Sequence, residues 1–285
     1  MIDLHSHTNE SDGSLAPEQL VAEARRVGLR LLGITDHDTF KGYDLAVPFA
    51  REAGIEMMCG IELSTKLHSQ SVHLLGYFPN GAPQGIRAWV LDMQESRRDR
   101  NRRLVARLRE LGLDITLEEA EARGRGMTGR PHFAQILVEK GYVSGLRQAF
   151  DDYLDESAKG YVYRREPQFA EGVGRIREAG GIASLAHPIR VKGDLPSMMP
   201  ELCACGLNAI EAYHSDHTPQ DTSLYLEIAA RHGLLATGGS DFHGAAKPDV
   251  VLGTGRDGNL RVPYELVERI RAGGFTSSGT NSRGS

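Results

Sequence analysis

Cysteine, tryptophan and long apolar runs are scarce in this chain of 285 residues, which has three cysteines and one tryptophan. The cysteines at 59, 203 and 205 form an odd, unpatterned set, so a disulfide-stapled secreted domain is not indicated. No stretch approaches the roughly 20 apolar residues that a membrane span needs. The net charge of -5 argues against a general polyanion-binding surface. Because no signal-peptide pattern is present, we expect a cytoplasmic protein. We also expect no membrane contact and no obligate protein partner.

Short apolar runs alternate with helical periods over most of the chain, a pattern typical of α/β folds. Seven runs read as strands of the parallel type: 2–4, 31–35, 55–61, 72–78, 182–185, 207–212 and 234–237. Alternation of strands with helices predicts a barrel-like (β/α) architecture. The chain is long enough for one such barrel that carries a modest insertion.

The alternation stops between about 85 and 169, where helical periods occur without a convincing strand. We therefore expect residues 1–84 and 170–275 to form the barrel and residues 85–169 to form a helical insertion, or lid. The Ser- and Gly-rich residues 276–285 are predicted to be a flexible tail.

A run of arginines lies on the first helix of the insertion: Arg97, Arg98, Arg100, Arg102 and Arg103. Acidic residues are interleaved with this run, which indicates an exposed helix face on which the arginines form ion pairs with carboxylates. The aromatic residues that would stack on single-stranded nucleic acid are absent from it.

Side chains that ligate metals recur at the ends of the predicted strands. They are His5, His7, Asp12, His37, Glu62, His73, His187, Asp241 and His243. In (β/α) barrels the strand ends meet at one mouth, and imidazole with carboxylate suits zinc, manganese or iron. His73 lies near a strand start and not at a strand end. Either its assignment as a ligand or the predicted placement of the fourth strand is therefore open. The sequence predicts a multi-metal hydrolytic site in which Glu62 is the best candidate to bridge two ions.

Several short motifs carry a family resemblance when they are taken together and in order. They are His5-Ser6-His7-Thr8, Ser11-Asp12-Gly13, Ile34-Thr35-Asp36-His37-Asp38, Gly60-Ile61-Glu62, Ala186-His187-Pro188 and Gly239-Ser240-Asp241-Phe242-His243. In this set the chain resembles the PHP (polymerase and histidinol phosphatase) phosphoesterases, over nearly its whole length except the insertion. The resemblance implies a distorted seven-stranded (β/α) barrel of the PHP type with a mostly helical insertion.

The resemblance also implies two or three divalent ions, with Mn²⁺ expected and Zn²⁺ or Fe²⁺ as alternatives. One ion would be held by His5, His7, Glu62 and Asp241, a second by Glu62, His73 and His187, and a third by Asp12, His37 and His243. In the family the equivalent of His73 lies on the fourth strand and faces the site.

The insertion and Gly129-Arg130-Pro131-His132 resemble the branch that contains 3',5'-nucleoside bisphosphate phosphatases. We therefore expect hydrolysis of the 3'-phosphate of a nucleoside bisphosphate, such as phosphoadenosine phosphate. The alternatives are a 5'-to-3' exoribonuclease on short RNA, which the same branch includes, and a histidinol phosphate phosphatase. A non-catalytic regulatory module is disfavoured because such modules lose ligands and this chain keeps all nine.

Phosphate recognition is expected to involve Arg130, His132 and Arg190, together with His37. Arginine's planar fork suits phosphate oxygens, and Arg130 precedes a predicted helix start at Pro131.

The mechanism that we expect is direct attack on phosphorus by a hydroxide that bridges two ions, with Glu62 as the bridging ligand. The leaving oxygen then needs a proton from Asp241, from His214 or from a metal-bound water. The sequence leaves these three sources open.

Overall fold

A seven-stranded sheet, curled into a nearly closed barrel, is the centre of the computed structural model, which describes residues 1–124 and 128–273. The strands follow chain order: β1 (Ile2–Asp3), β2 (Leu31–Ile34), β3 (Glu56–Leu67), β4 (Gln70–Phe78), β5 (Ile182–Leu185), β6 (Ala209–His214) and β7 (Leu235–Gly239). This confirms the predicted distorted seven-stranded α/β barrel.

Helices connect the strands and cover the outside of the sheet. The helices are α1 (Pro17–Arg26), α2 (Lys41–Ala53), α3 (Gln84–Glu110), α4 (Leu117–Gly124), α5 (Arg130–Glu139), α6 (Leu146–Ala149), α7 (Phe169–Glu178), α8 (Leu195–Ala204), α9 (Pro219–His232) and α10 (Glu265–Arg271). Both β2 and β5 are buried along their whole length, as expected for strands with both faces covered.

The first and last strands approach each other beyond their regular ends. The backbone N–H of Leu4 donates to the carbonyl of Gly238 (3.3 Å), and the N–H of Asp241 donates to the carbonyl of His5 (2.8 Å). Between these bonds, a Cβ at Gly239 would collide with the backbone nitrogen of His5. Glycine at this position therefore allows the close approach that brings the ends of β1 and β7 to one site.

The expectation that every strand is of the parallel type is wrong for β4. This strand runs antiparallel to both β3 and β5, and His73 lies opposite Ser64 of β3. The short loop between β3 and β4 is too small for the crossover that a parallel pair needs, so it makes a hairpin. The start of β4 consequently lies at the same edge as the ends of the other strands, which explains the position of His73.

The helices between β4 and β5 enclose a hydrophobic cluster separate from the barrel core. Its buried members are Leu104, Val105, Leu108, Leu113, Ile115, Ala120, Phe133, Ala134, Ile136, Leu137, Val143, Ala149 and Leu154. Thr116 and Glu119 begin α4 with reciprocal hydrogen bonds of 2.9 and 3.1 Å, a capping box. The exact division into barrel residues 1–84 and 170–275 and insertion residues 85–169 stays a prediction.

The predicted exposed arginine face on α3 is wrong for two of its five members. Arg98, Arg102 and Arg103 are exposed and paired with carboxylates, as expected. Arg100 is only 7% exposed, and the side chain of Arg97 is mostly buried. These two side chains share the helix face that packs inward, because residues three apart lie on one side of a helix.

No helix among residues 1–124 and 128–273 is long and apolar enough to cross a membrane. The tail that the sequence predicts at 276–285 lies outside the described residues.

Replacing Leu108 by Ala is expected to lower the free energy of unfolding by about 2–5 kcal/mol, because it opens a cavity in the insertion core. Leu91→Ala on the same helix is the control, since Leu91 is 57% exposed and should change stability by less than about 0.5 kcal/mol. Urea denaturation of both variants measures the difference. Equal effects would contradict a separate packed core in the insertion.

Candidate metal centre

The nine candidate ligands lie together at the mouth of the barrel. Seven of them line a cavity of about 510 Å³: Asp12, His37, Glu62, His73, His187, Asp241 and His243. His5 and His7 are fully buried beside it. Parallel strands deliver most of these side chains from their carboxyl ends, and antiparallel β4 delivers His73 from its amino end.

A first group consists of His5, His7, Glu62 and Asp241. The Nε2 atoms of His5 and His7 lie 3.1 Å apart, and each is 3.1 Å from Glu62 Oε2. Asp241 Oδ1 lies 3.5 and 3.3 Å from the same two nitrogens. Four ligand atoms therefore point at one small volume, as the donors of a cation site do.

The second oxygen of Glu62 faces a different pair of imidazoles. Glu62 Oε1 lies 2.7 Å from His73 Nδ1 and 2.8 Å from His187 Nε2. On the other side, His37 Nδ1 is 3.5 Å from Glu62 Oε2. One carboxylate thus faces two neighbouring sets of donors, the arrangement required of a bridging ligand.

A third group forms around Asp12, where His7, His37 and His243 converge. The Oδ1 atom of Asp12 is 3.5 Å from His7 Nδ1 and 3.3 Å from His243 Nε2, and its Oδ2 atom is 3.6 Å from His37 Nε2. The structure therefore brings together all nine residues that the sequence selected, in three adjoining groups.

The donor chemistry fits divalent metal ions. His5 Nδ1 lies 2.8 Å from Glu211 Oε1 and donates to that carboxylate, so in the neutral ring the Nε2 lone pair faces His7, Glu62 and Asp241. Lone pairs that face one another in a buried site repel unless a cation lies between them. His37 Nδ1 is likewise buried without a hydrogen-bond partner among the described residues.

The pKa values of the candidate ligands are shifted in both directions. Burial raises the pKa of Glu62, but His37 and other nearby imidazoles hold it well below its usual value. Burial lowers the pKa of His37 and of His187 to about 4. Burial also lowers the pKa of His7, but hydrogen bonds to carboxylates outweigh it and raise this pKa to about 9. Against the same effect of burial, the charge of Glu211 raises the pKa of His5 and the charge of Glu62 raises the pKa of His73.

Glu211 on β6 is a buried residue of this centre that the sequence analysis missed. Besides its contact with His5, its Oε2 accepts a hydrogen bond of 2.6 Å from the backbone N–H of His187. Through these two bonds Glu211 orients two candidate ligands on different strands. The available signal was a lone carboxylate within the otherwise apolar residues 209–212 of this strand.

Two candidate ligands have left-handed backbone conformations that are uncommon for residues other than glycine. His187 has a φ of 27°, and Asp241 has a φ of 55°. Such conformations cost of order 1–3 kcal/mol and persist only where the surroundings fix them. Here the backbone bonds to Glu211 and His5 supply that constraint.

Cationic side chains surround the cavity above the ligands. Arg190 Nη2 lies 3.1 Å from Asp241 Oδ2 and 2.6 Å from Asp216 Oδ2. Lys247 Nζ, which the sequence analysis did not select, lies 2.6 Å from Asp241 Oδ2. Arg97 lines the opposite wall, where it pairs with Asp38. These groups can bind an anion next to the ligands.

The remaining sequence-predicted residues lie in three places. His132 lines the same cavity, and its Nδ1 accepts a hydrogen bond from the Gly129 N–H (3.0 Å). Arg130 lines a separate cavity instead, and its Nη1 donates to the Leu154 carbonyl (3.2 Å). His214 is buried, with Nε2 3.4 Å from Asp241 Oδ2. The roles that the sequence suggests for them stay predictions.

The barrel and its cluster of imidazoles and carboxylates define the class of metal-dependent hydrolases. The model of the PHP domain family matches residues 3–163. The chain therefore belongs to the PHP domain family, and it is a phosphoesterase, a hydrolase of phosphoester bonds.

Three curated relatives are similar over 85% of this chain. The 3',5'-nucleoside bisphosphate phosphatase of Chromobacterium violaceum is 33% identical over 247 residues, 87% of its length. The 5'-3' exoribonuclease of Haemophilus influenzae is 31% identical over 244 residues, 89% of its length. The phosphoribosyl 1,2-cyclic phosphate 1,2-diphosphodiesterase of Eggerthella lenta is 33% identical over 250 residues, 94% of its length. Overall identity therefore does not separate these three substrates.

Solved structures resemble this one over nearly the whole chain. A protein from Bifidobacterium adolescentis, assigned as a metal-dependent phosphoesterase, has a TM-score of 0.79 and 33% identity, and 96% of each chain is covered. An amidohydrolase from Chromobacterium violaceum, with bound sulfate and no metal, has a TM-score of 0.77 and 31% identity. That match covers 94% of this chain and 96% of the other.

Replacing Glu211 by Gln is expected to weaken metal binding about 10- to 100-fold, because it removes the charge that orients His5. Titration calorimetry of the metal-free protein with Mn²⁺ measures this change. Glu227→Gln on α9 is the matched control, since that side chain is 66% exposed and pairs with Arg231. Unchanged Mn²⁺ affinity in a folded Glu211→Gln protein would show that Glu211 has no part in metal binding.

Proposed function

We propose that this protein is a metal-dependent phosphomonoesterase that removes the 3'-phosphate of 3',5'-nucleoside bisphosphates. The observation that carries the proposal is the joint position of nine metal-ligand side chains and three cations, Arg97, Arg190 and Lys247, around one cavity. Its volume of about 510 Å³ is in the range of small-molecule sites. The similarity to the bisphosphate phosphatase supports this substrate class.

We further propose how the ligands divide among the ions. His5, His7, Glu62 and Asp241 would hold one, Glu62, His73 and His187 a second, and Asp12, His37 and His243 a third, with Mn²⁺ as the expected metal and Zn²⁺ or Fe²⁺ as alternatives. When bound, such ions supply an activated water and neutralise charge on the phosphoryl oxygens. His7 lies within reach of the first and third positions, which makes these two sites neighbours.

The side chains of this chain bind and orient the phosphoryl group. Arg190 and Lys247 place N–H donors on the side of Asp241, and Arg97 faces them from α3. Charge-assisted hydrogen bonds from such groups are about twice as strong as neutral ones. The phosphate would thus be held between the barrel loops and the insertion.

Protonation of the leaving oxygen is proposed to occur beside Asp241 Oδ2. His214 Nδ1 accepts a hydrogen bond from the Asp216 N–H (3.0 Å), so a neutral His214 ring carries its proton on Nε2, facing Asp241. Lys247 Nζ approaches the same carboxylate oxygen. Arg190 keeps its proton, and the N–H of a neutral imidazole is too weak an acid, so His214 would be the donor only in its imidazolium form. Lys247, protonated Asp241 and a metal-bound water are the other proton sources for the leaving oxygen.

The helical insertion supplies the wall opposite the ligands. Gly129, Pro131 and His132 at the start of α5, and Arg97 on α3, line the cavity together with the barrel loops. A wall of this kind bounds the substrate, which favours one nucleotide over a long strand. We therefore propose that residues 85–169 act as a lid that selects the substrate.

The second candidate function is a 5'-to-3' exoribonuclease on short RNA. The similarity to the Haemophilus influenzae exoribonuclease favours it, because identity and coverage nearly equal those of the phosphatase. Both reactions cleave a phosphoester next to a nucleoside, so the same centre serves either. A direct comparison of substrates separates them.

Manganese-loaded protein is expected to release phosphate from 3',5'-bisphosphoadenosine with a kcat/KM at least about tenfold above that for 3'-AMP or 5'-AMP. The reason is the additional charge-assisted contact to the second phosphate. Phosphate release from these substrates and histidinol phosphate, and mononucleotide release from a 5'-phosphorylated RNA trimer, are measured by chromatography at one ionic strength. Equal or faster turnover of the trimer would establish the exoribonuclease instead.

Glu62→Gln is expected to lower kcat about 10³-fold or more, since the amide cannot serve both groups of donors with negative charge. Metal content by mass spectrometry should fall in parallel. The control is Glu201→Gln, whose side chain is 57% exposed on α8. A Glu62→Gln protein with wild-type metal content and activity would refute the bridging role.

A further inference from the structure

A series of ion pairs leads away from the metal centre through three loops of the barrel. Arg190, in the turn after β5, donates from Nη2 to Asp216 Oδ2 at 2.6 Å and to Asp241 Oδ2 at 3.1 Å. Asp216 follows β6, and its other oxygen, Oδ1, accepts a hydrogen bond from Arg256 Nε at 3.1 Å. Arg256, which lies beyond β7, also pairs with Asp249. Asp216 therefore joins two arginines that come from different loops.

Arg190 is anchored through one of its three guanidinium nitrogens. The two N–H bonds of Nη2 are used by the two carboxylates, whereas Nε and Nη1 make no hydrogen bond among the described residues. The side chain is 42% exposed and lines the cavity of about 510 Å³ at the metal centre. The Nε and Nη1 groups can therefore donate to a phosphoryl oxygen while the bond to Asp216 is kept.

Asp241 alone would be a poor anchor for Arg190 once metal is bound. Its Oδ1 faces the donor nitrogens of His5 and His7, at 3.5 and 3.3 Å, so it is a candidate ligand. A cation at that position neutralises the carboxylate and repels a nearby guanidinium. Asp216 belongs to none of the candidate-ligand groups of the described residues. Its negative charge therefore remains available to Arg190 in the metal-loaded protein.

The loop that carries Asp216 is itself fixed by hydrogen bonds. Ser215 Oγ donates to the Ser240 carbonyl at 2.6 Å, and Asn259 Nδ2 donates to the Ser215 carbonyl at 2.9 Å. Burial raises the pKa of Asp216, but the hydrogen bond from Arg190 and the neighbouring positive charges lower it to about 2. Asp216 is therefore an ionised group on a fixed backbone, which is what the positioning of a flexible arginine requires.

We propose that Asp216 is a positioning residue that holds Arg190 at the mouth of the metal centre, where Arg190 contacts the phosphoryl group of the substrate. The inference rests on the proposed function, which gives Arg190 that contact. It requires only a phosphoester, so it applies equally to a nucleotide and to a short RNA. Asp216 acts through Arg190 and makes no contact of its own with the substrate.

The test is a double-mutant cycle of Asp216→Asn and Arg190→Gln in manganese-loaded protein. The substrate is whichever of 3',5'-bisphosphoadenosine and the 5'-phosphorylated RNA trimer the wild type cleaves faster. Arg190→Gln should lower kcat/KM about 10- to 100-fold, as expected for one charge-assisted contact, and Asp216→Asn about tenfold. In the Arg190→Gln background, Asp216→Asn should lower kcat/KM less than about twofold, because no guanidinium remains to be held.

Two further variants separate positioning from a general effect on the fold. Asp216→Glu keeps the charge and should retain kcat/KM within about threefold of the wild type. The backbone N–H of Asp216, which donates to His214 Nδ1 at 3.0 Å, is present in every variant. Asp44→Asn is the matched control, because Asp44 also pairs with an arginine, Arg87, at 2.7 and 2.9 Å, but lies outside the metal-centre cavity. It should leave kcat/KM unchanged.

Titration calorimetry with Mn²⁺ gives a readout that does not depend on activity. Since Asp216 is not a candidate ligand, Asp216→Asn should change the Mn²⁺ affinity less than about threefold. A loss of Mn²⁺ affinity as large as the loss of kcat/KM would assign Asp216 to metal binding and overturn the inference.

Three results of the cycle also overturn it. They are equal losses from Asp216→Asn in both backgrounds, no loss in either, and wild-type kcat/KM in Arg190→Gln, which would leave Arg190 without a contact to position. Failure of the proposed function is seen in the wild type alone, as faster cleavage of the trimer. The cycle is then measured on the trimer, and the same outcomes decide the role of Asp216.

Discussion

Glu62 is the group on which the rest of the site depends, because one buried carboxylate faces four imidazoles that three other strands deliver. Its Oε2 contacts His5 and His7, and its Oε1 contacts His73 and His187. An ionised carboxylate in a dry barrel is unfavourable by itself. The positive charge that its partners or bound cations supply offsets this cost. The buried side chains at the barrel mouth are therefore stable only when all of them are present together.

The need to bring ligands to Glu62 explains two departures from regular barrel geometry. A parallel β4 would direct its first residues to the far edge of the sheet, away from Glu62, whereas the hairpin with β3 directs His73 toward it. The left-handed backbones of His187 and Asp241 aim two further ligands at the same point. These backbone conformations lower the stability locally, and the burial of the surrounding strands and helices offsets that cost.

The sequence was sufficient to predict the barrel and to select the nine candidate ligands, because all of them except His73 lie in short motifs at strand ends. It could not set the orientation of β4, since a strand pattern reads the same in both directions. The inward face of α3 also escaped prediction. Charged residues occur all round this helix, so its hydrophobic pattern did not show that Arg97 and Arg100 point inward.

Under the proposed function, chemistry and substrate selection are carried by different parts of the molecule. The barrel holds the ligands in a constellation fixed by backbone closure between His5 and Asp241. The insertion contributes Arg97 and His132 to one cavity and Arg100 to the next, from elements that pack on a core of their own. Changes in the insertion can alter which phosphate esters enter without disturbing the metal ligands, which is consistent with relatives of nearly equal identity that carry different substrate names.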